Sequence, residues 1–209
     1  GEPLLDPSGY DLVAVSQSVL RYNPALQRAR ELGIPVTSQM RLFMQLCPGK
    51  TVGITGSSGK TTSTALIGEM CRLSGMRTWV GGNIGTPLTE RLLERPWPDV
   101  AVMEFSSFQL EVFTPAYQGD AVERQRSAAS RVISLDGWSP HVALLTNITP
   151  NHLDRHADMA EYAAAKRSLM DFQAANDWLV LNADDAYTGS WAETARGRLL
   201  RFSLQDEPE

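Results

Sequence analysis

The chain has 209 residues, 43% hydrophobic and 21% charged, the composition of a globular protein that can bury a core in one or two domains. Its formal net charge of −5 argues against an extended nucleic-acid surface, and no apolar run nears the ~20 residues that span a bilayer. Two cysteines, Cys47 and Cys71, form neither a disulfide framework nor a metal-ligand spacing; with no signal-peptide pattern, a cytoplasmic protein with idle or buried thiols and no nucleic-acid or membrane partner is expected.

A start at Gly1 rather than Met suggests a piece of a longer protein. Residues 1–9 are polar and turn-rich. Residues 11–16 (DLVAVS) read as a short buried strand, 24–32 as a helix stopped by Gly33, and 34–37 as a second strand. A short helix over 40–46 is broken by Cys47-Pro48-Gly49, where a domain boundary is expected. An apolar run, Val52, Gly53 and Ile54, then enters a loop of Gly, Ser and Thr and opens into a helix over 61–73, with Leu66, Ile67 and Met70 spaced for one buried face. Strand 77–80, the glycine-rich connection 81–85, a helix over 87–93 and the continuously apolar strand 99–105 follow, the last ending on Glu104.

Residues 114–141 are the least legible and suggest a surface excursion, with a turn at 118–120, a charged run over 123–126 and a possible strand at 131–135. The chain returns to a buried strand at 141–148. A helix over 159–175, capped by Asp158, a strand at 178–182, a helical stretch from Asp184-Asp185 and a strand at 198–203 complete an α/β rhythm.

Strand, small-residue loop and helix make a phosphate loop. Small residues let successive backbone N–H groups turn toward an anion, and the helix adds its positive end. The loop is the short T-G-x-x-G-K-T-T form over Thr55, Gly56, Ser57, Ser58, Gly59, Lys60, Thr61 and Thr62, since Ile54 stands where a longer loop has its first glycine. Lys60 is placed for the outer phosphates, and the Thr61 hydroxyl for magnesium. Glu104, at the carboxyl end of a central strand, is placed for chemistry. The cluster His152, Asp154, Arg155 and His156, just beyond another strand, is a candidate metal or phosphate site.

Six motifs together resemble the Mur ligases, ATP-dependent amide-forming enzymes of peptidoglycan precursor synthesis, and among them the branch that adds D-glutamate. They are TGSSGKTT at 55–62, GGNIGTP at 81–87, EFSSFQLE at 104–111, NITPNHLDRH at 147–156, YAAAK at 162–166 and LNADD at 181–185. The resemblance implies a three-layer central ATPase domain with a mostly parallel sheet over residues 47–209. It also implies that residues 1–46 are the tail of a Rossmann-like domain that binds UDP, and that a C-terminal amino-acid-binding domain lies outside this chain. It implies ATP and two magnesium ions, with Thr61 and Glu104 resembling ligands of the first and His152 a ligand of the second. Lys166 is similar to a family lysine that becomes a carbamate, and Asn83, Ser106 and Gln109 would face the muramoyl-alanine part of the substrate. The implied reaction joins D-glutamate to UDP-N-acetylmuramoyl-L-alanine through an acyl phosphate, in a monomer acting on small molecules in cell wall synthesis.

The chain departs from the family pattern at Ser58, where Asn is usual, at Asn151, where an acidic residue is usual, and over 15–23, which lacks a Ser-Pro-Gly turn. Other readings are a sibling Mur or folylpolyglutamate-type ligase, a phosphate-loop binding module without catalysis, and a scaffold that has lost it.

Overall fold

The computed structural model describes residues 6–20, 22–85, 88–114 and 137–205. The turn, charged run and strand expected between 118 and 135 lie outside these residues.

Short apolar runs separated by helices form two parallel sheets. In the small one, β1 (Val13–Val15) pairs with β2 (Val36–Ser38), Val13 opposite Val36. Between them runs α1 (Pro24–Glu31), begun by Asn23, whose side chain accepts from Ala25 N, and by Pro24 at the first helical position. Val13, Val15, Leu26, Ala29 and Val36 form its core. Ser38 caps α2 (Gln39–Leu46), which stops at Cys47 before Pro48.

The large sheet has six parallel strands in the order β4-β5-β3-β6-β7-β8. They are β3 (Lys50–Thr55), β4 (Thr78–Gly82), β5 (Val100–Glu104), β6 (Val142–Leu145), β7 (Trp178–Asn182) and β8 (Arg198–Phe202). Every residue of β5 is buried, as the continuous apolar run predicts for a strand covered on both faces. Ala101 and Met103 enter the larger core with Phe105, Leu145 and Leu181, whereas Val100 and Val102 face the opposite side with Val52 and Ile54. Against that second face lies α3 (Lys60–Leu73), through Ile67 and Cys71. From β3 the chain crosses to β4 and then β5 on one side, and passes next to β6 on the other. The reversal places a crevice at the carboxyl ends of β5, β3 and β6, where open α/β sheets bind ligands.

Several elements differ from the expectations. Leu66 and Met70 of α3 are 60% and 57% exposed; the buried positions are Thr64 and Gly68. A Cβ at Gly68 would lie 2.5 Å from Val80 Cγ2, so the helix approaches the sheet too closely for large side chains on that face. The helix expected over 87–93 is a single 3₁₀ turn, Glu90–Leu93, its bonds running from Arg91 N to Leu88 O and from Leu92 N to Thr89 O. Leu88 and Leu92 pack on the core but Leu93 is 88% exposed, and Pro96 follows closely. The helix α5 (Met159–Arg167) is capped by Asp158 as expected but ends well before residue 175. Ser168 Oγ donates to Ala165 O, and the backbone tightens to Leu169 N–Lys166 O and Met170 N–Arg167 O bonds.

Two helices, α4 (Ser107–Glu111), unforeseen in the sequence, and α6 (Ala186–Trp191), capped by Asp185, and a 3₁₀ turn at Ala192–Thr194 complete the described elements. Among the described residues no helix is long and apolar enough to cross a membrane.

Candidate phosphate and metal site

The loop between β3 and α3 turns on two glycines in the left-handed half of backbone space, Gly56 (φ 147°) and Gly59 (φ 82°). Gly59 occupies the N-cap of α3, and no side chain caps the helix there. The first-turn amides, Lys60 to Thr62, have no acceptor within the helix, and they open at the end where the dipole is positive. Lys60 Nζ donates to Gly56 O and Ser57 O, each at 2.9 Å.

From the other side Lys166 of α5 reaches the same loop. It is 2% exposed, and its Nζ donates to Gly56 O at 2.8 Å and to Thr55 Oγ1 at 3.5 Å, 4.8 Å from the centre of the Tyr162 ring. Burial, and then the charge of Lys60, push its amine down to about 7, with Glu104 opposing. Burial likewise lowers the Lys60 amine, against the pull of Glu104.

Glu104, 1% exposed, ends β5 beside the loop. Its Oε2 accepts from Thr61 Oγ1 at 2.7 Å and its Oε1 from Asn83 Nδ2 at 3.0 Å. Asn83 is fixed in turn by its amide, which donates to Glu104 O at 2.9 Å. Thr61, Glu104 and Asn83 therefore form one oxygen-rich group at the mouth of the crevice, brought together from three motifs.

Ser57 and Ser58 are bound differently from the other loop residues. Ser57 N donates to Asn147 O (2.8 Å) and Ser58 N to Asn147 Oδ1 (3.0 Å). The Ser57 hydroxyl donates to Thr149 O and accepts from Thr149 N, and it lies 2.9 Å from Tyr162 OH. Asn147 and Tyr162 belong to recognised motifs, yet nothing in the spacing assigns them to the loop, because the contacts cross between separate strands.

His152 has a left-handed backbone (φ 55°), with its amide on Asn151 Oδ1 at 2.9 Å and its ring edge-on to Phe108. The cluster around it does not converge. Arg155 pairs with the buried Glu111 at 3.3 Å and lies over Phe108, His156 is buried with Nε2 3.0 Å from Ser107 Oγ, and Asp154 is exposed. Among the described residues no three His, Cys, Asp or Glu side chains gather to hold a metal. Ser106 and Gln109 form a reciprocal capping box on α4, each side chain satisfying the other's backbone amide. Ser-x-x-Gln was the sequence signal for this helix. Beside it a cleft of about 250 Å³ opens between the two sheets, lined by Gln17, Ser38, Phe43, Gly82, Gln109 and others.

Residues 54–118 and 121–209 match the Mur ligase middle domain. The chain is 40% identical over all of its 209 residues to UDP-N-acetylmuramoylalanine–D-glutamate ligase of Symbiobacterium thermophilum, and 41% identical over 208 residues to the Clostridium botulinum enzyme of that name. It spans 41% and 40% of their lengths. Among solved structures it is similar to MurF ligase of Thermotoga maritima in complex with ADP, with a TM-score of 0.55 and 16% identity over 88% of this chain and 38% of that one. It is also similar to UDP-N-acetylmuramate:L-alanyl-gamma-D-glutamyl-meso-diaminopimelate ligase of Neisseria meningitides, with a TM-score of 0.57 and 17% identity over 93% and 59%. These two likenesses extend the α/β fold to known structures. A glycine-turned loop meeting a buried strand-end glutamate, together with a match over most of the sequence, places the chain in the Mur ligase family, with the middle-domain match beginning at residue 54.

Proposed function

We propose that this chain is the ATP-handling part of a ligase that joins D-glutamate to UDP-N-acetylmuramoyl-L-alanine. The observation that carries the reading is the Thr61–Glu104–Asn83 group beside the uncapped start of α3, with Lys60 on the loop between them. The choice of D-glutamate rests on the names of the relatives that align over the whole chain.

Magnesium fits the first of these groups. The ion takes oxygen ligands and is held by one or two carboxylates together with substrate phosphates, and Thr61 Oγ1 and Glu104 Oε2 supply a hydroxyl and a carboxylate within one coordination sphere. Lys60 would leave its loop carbonyls for the outer phosphates, and the first-turn amides of α3 would bind them from behind. A second magnesium would fall to His152 and Lys166, which both border the Tyr162 ring. An amine held near 7 is uncharged in about half of the molecules at neutral pH. In that form it can add carbon dioxide, giving a carbamate and releasing a proton, which turns a buried cation into an anionic oxygen ligand.

In the reaction the alanine carboxylate attacks the γ-phosphorus, ADP leaves, and the D-glutamate amine displaces phosphate from the acyl phosphate. The protein's task is electrostatic, since one anion must approach another; Lys60 and the first-turn amides of α3 would offset that repulsion, and magnesium held by Thr61 and Glu104, and by His152 and Lys166, would supply further positive charge. Gln109 lines the cleft, and Asn83, Ser106 and Gln109 would face the muramoyl-alanine part. The reading places the work in the cytoplasm, on small molecules, by a monomer.

The test is calorimetric titration with a non-hydrolysable ATP analogue and magnesium, wild type against Lys60→Ala. Magnesium-dependent binding that disappears in the variant supports the reading. Equal binding by both proteins, or none by the wild type, overturns it for this chain.

A further inference from the structure

We infer that Asn147 is a positioning residue that holds the phosphate loop in its binding shape. The inference rests on the phosphate-site reading above. Asn147 stands just past the end of β6, the strand next to β3. Its side chain accepts from Ser58 N at 3.0 Å and donates from Nδ2 to Ser58 O at 3.2 Å, while its carbonyl accepts from Ser57 N at 2.8 Å. Thr146 Oγ1 adds a 2.6 Å bond to the same Ser58 carbonyl. One carboxamide thus meets both backbone groups of one loop residue, as a neighbouring strand would, at a place where no strand continues.

The chemistry requires this residue type. A side-chain amide offers an acceptor and a donor side by side on one rigid plane. Ser58 is exposed, so without the clasp its backbone groups would bond to water and the loop would sample other shapes. With it, the amides of Ser57 and Ser58 are turned away to β6, and anion binding is left to the amides that begin α3. Asn147 also opens the segment that runs through Thr149, itself bonded to the Ser57 hydroxyl, to His152. The loop and that segment are thereby fixed to each other.

The experiment compares wild type, Asn147→Ala and Asn147→Asp in two measurements: amide exchange at Ser57 and Ser58 by NMR, and calorimetric titration with magnesium and the non-hydrolysable ATP analogue. In the alanine variant Ser58 exchange should accelerate about tenfold, the loss of roughly one hydrogen bond. Analogue affinity should fall by about the same factor while the thermal transition stays cooperative. In the aspartate variant the carboxylate still accepts from Ser58 N, so exchange stays slow, but analogue affinity falls and its loss deepens at low salt. Unchanged Ser58 exchange in the alanine variant overturns the clasp. Faster exchange with unchanged affinity overturns the positioning role, and affinity loss without faster exchange would mean that Asn147 touches the phosphates itself. If the wild type binds no analogue while its Ser58 protection depends on Asn147, the phosphate-site reading has failed and the role in binding fails with it, separately from the clasp.

Discussion

A methyl group on Gly56 would overlap Thr146 Oγ1 in a backbone conformation already closed to other residues, whereas one on Gly59 would meet nothing nearer than 3.9 Å. Gly59→Ala should therefore cost only its left-handed strain, about 1–2 kcal/mol. Gly56→Ala should cost more, since Thr146 must also give up its bond to Ser58 O. Urea unfolding of the two variants checks the order, and a smaller loss at Gly56 would contradict it. At the far end of the sheet His141 Nδ1 accepts from Thr51 N (3.1 Å) and Thr51 Oγ1 (2.9 Å), which requires the neutral ring. Burial, then Lys50, lower its pKa below the ordinary 6.5, against Asp177. The unfolded chain then binds the proton more readily than the folded one, so this contribution is intact above 6.5 and is lost as pH falls below it. Stability should fall as pH drops below about 6.5, and His141→Asn, which keeps an acceptor without titrating there, should flatten that slope. Lys60, Thr61 and Glu104 could be placed from sequence because loop and strand-end positions are local properties. Asn147 and Arg155 could not, since their partners, Ser58 and Glu111, are 89 and 44 residues away.

Among elements, α3 separates what periodicity can reveal from what packing decides. Its apolar residues Leu66, Met70 and Leu73 follow helical spacing, and the helix is there, but the stripe faces outward and a glycine faces the sheet. Hydrophobic spacing identifies a helix without saying which side is pressed against the core when small residues permit a closer approach. Gly68→Val should destabilise by about 1–3 kcal/mol through overpacking against Val80. Leu66→Lys and Met70→Lys should stay within about 0.5 kcal/mol. Denaturant midpoints for the three variants check this, and a large loss at Leu66 would restore the opposite face. Strands were the more readable elements: β7 spans the residues expected, because both faces of a central parallel strand are apolar and its ends are marked by polar turns. Helix ends were less so, as at Arg167, where Ser168 diverts the backbone.

For the whole molecule, the question is where the small sheet ends and the large one begins. The break at Cys47-Pro48-Gly49 suggests a boundary near residue 47, but packing divides the chain differently. Phe43 and Met44 of α2 lie in the core of the large sheet, while Val112, just after α4, lies in the core of the small one with Val13, Val15 and Val36. We propose that α2 belongs with the large sheet, that Val112 is the peg joining the two, and that the joint is the step from β2 to α2 at Ser38 and Gln39. That step also lines the cleft, so a hinge there would open and close it. Val112→Ala should cost about 2 kcal/mol. Val112→Asp, which puts a charge into the apolar core of the small sheet, should release that sheet altogether. Limited proteolysis of the aspartate variant should then cut between β2 and α2 and leave a resistant fragment beginning near Gln39 that still binds the magnesium–nucleotide analogue. A fragment beginning at 47–49 would instead make α2 part of the small unit. Collapse of the whole chain without any resistant fragment would mean that both sheets unfold as one cooperative body and that no boundary exists.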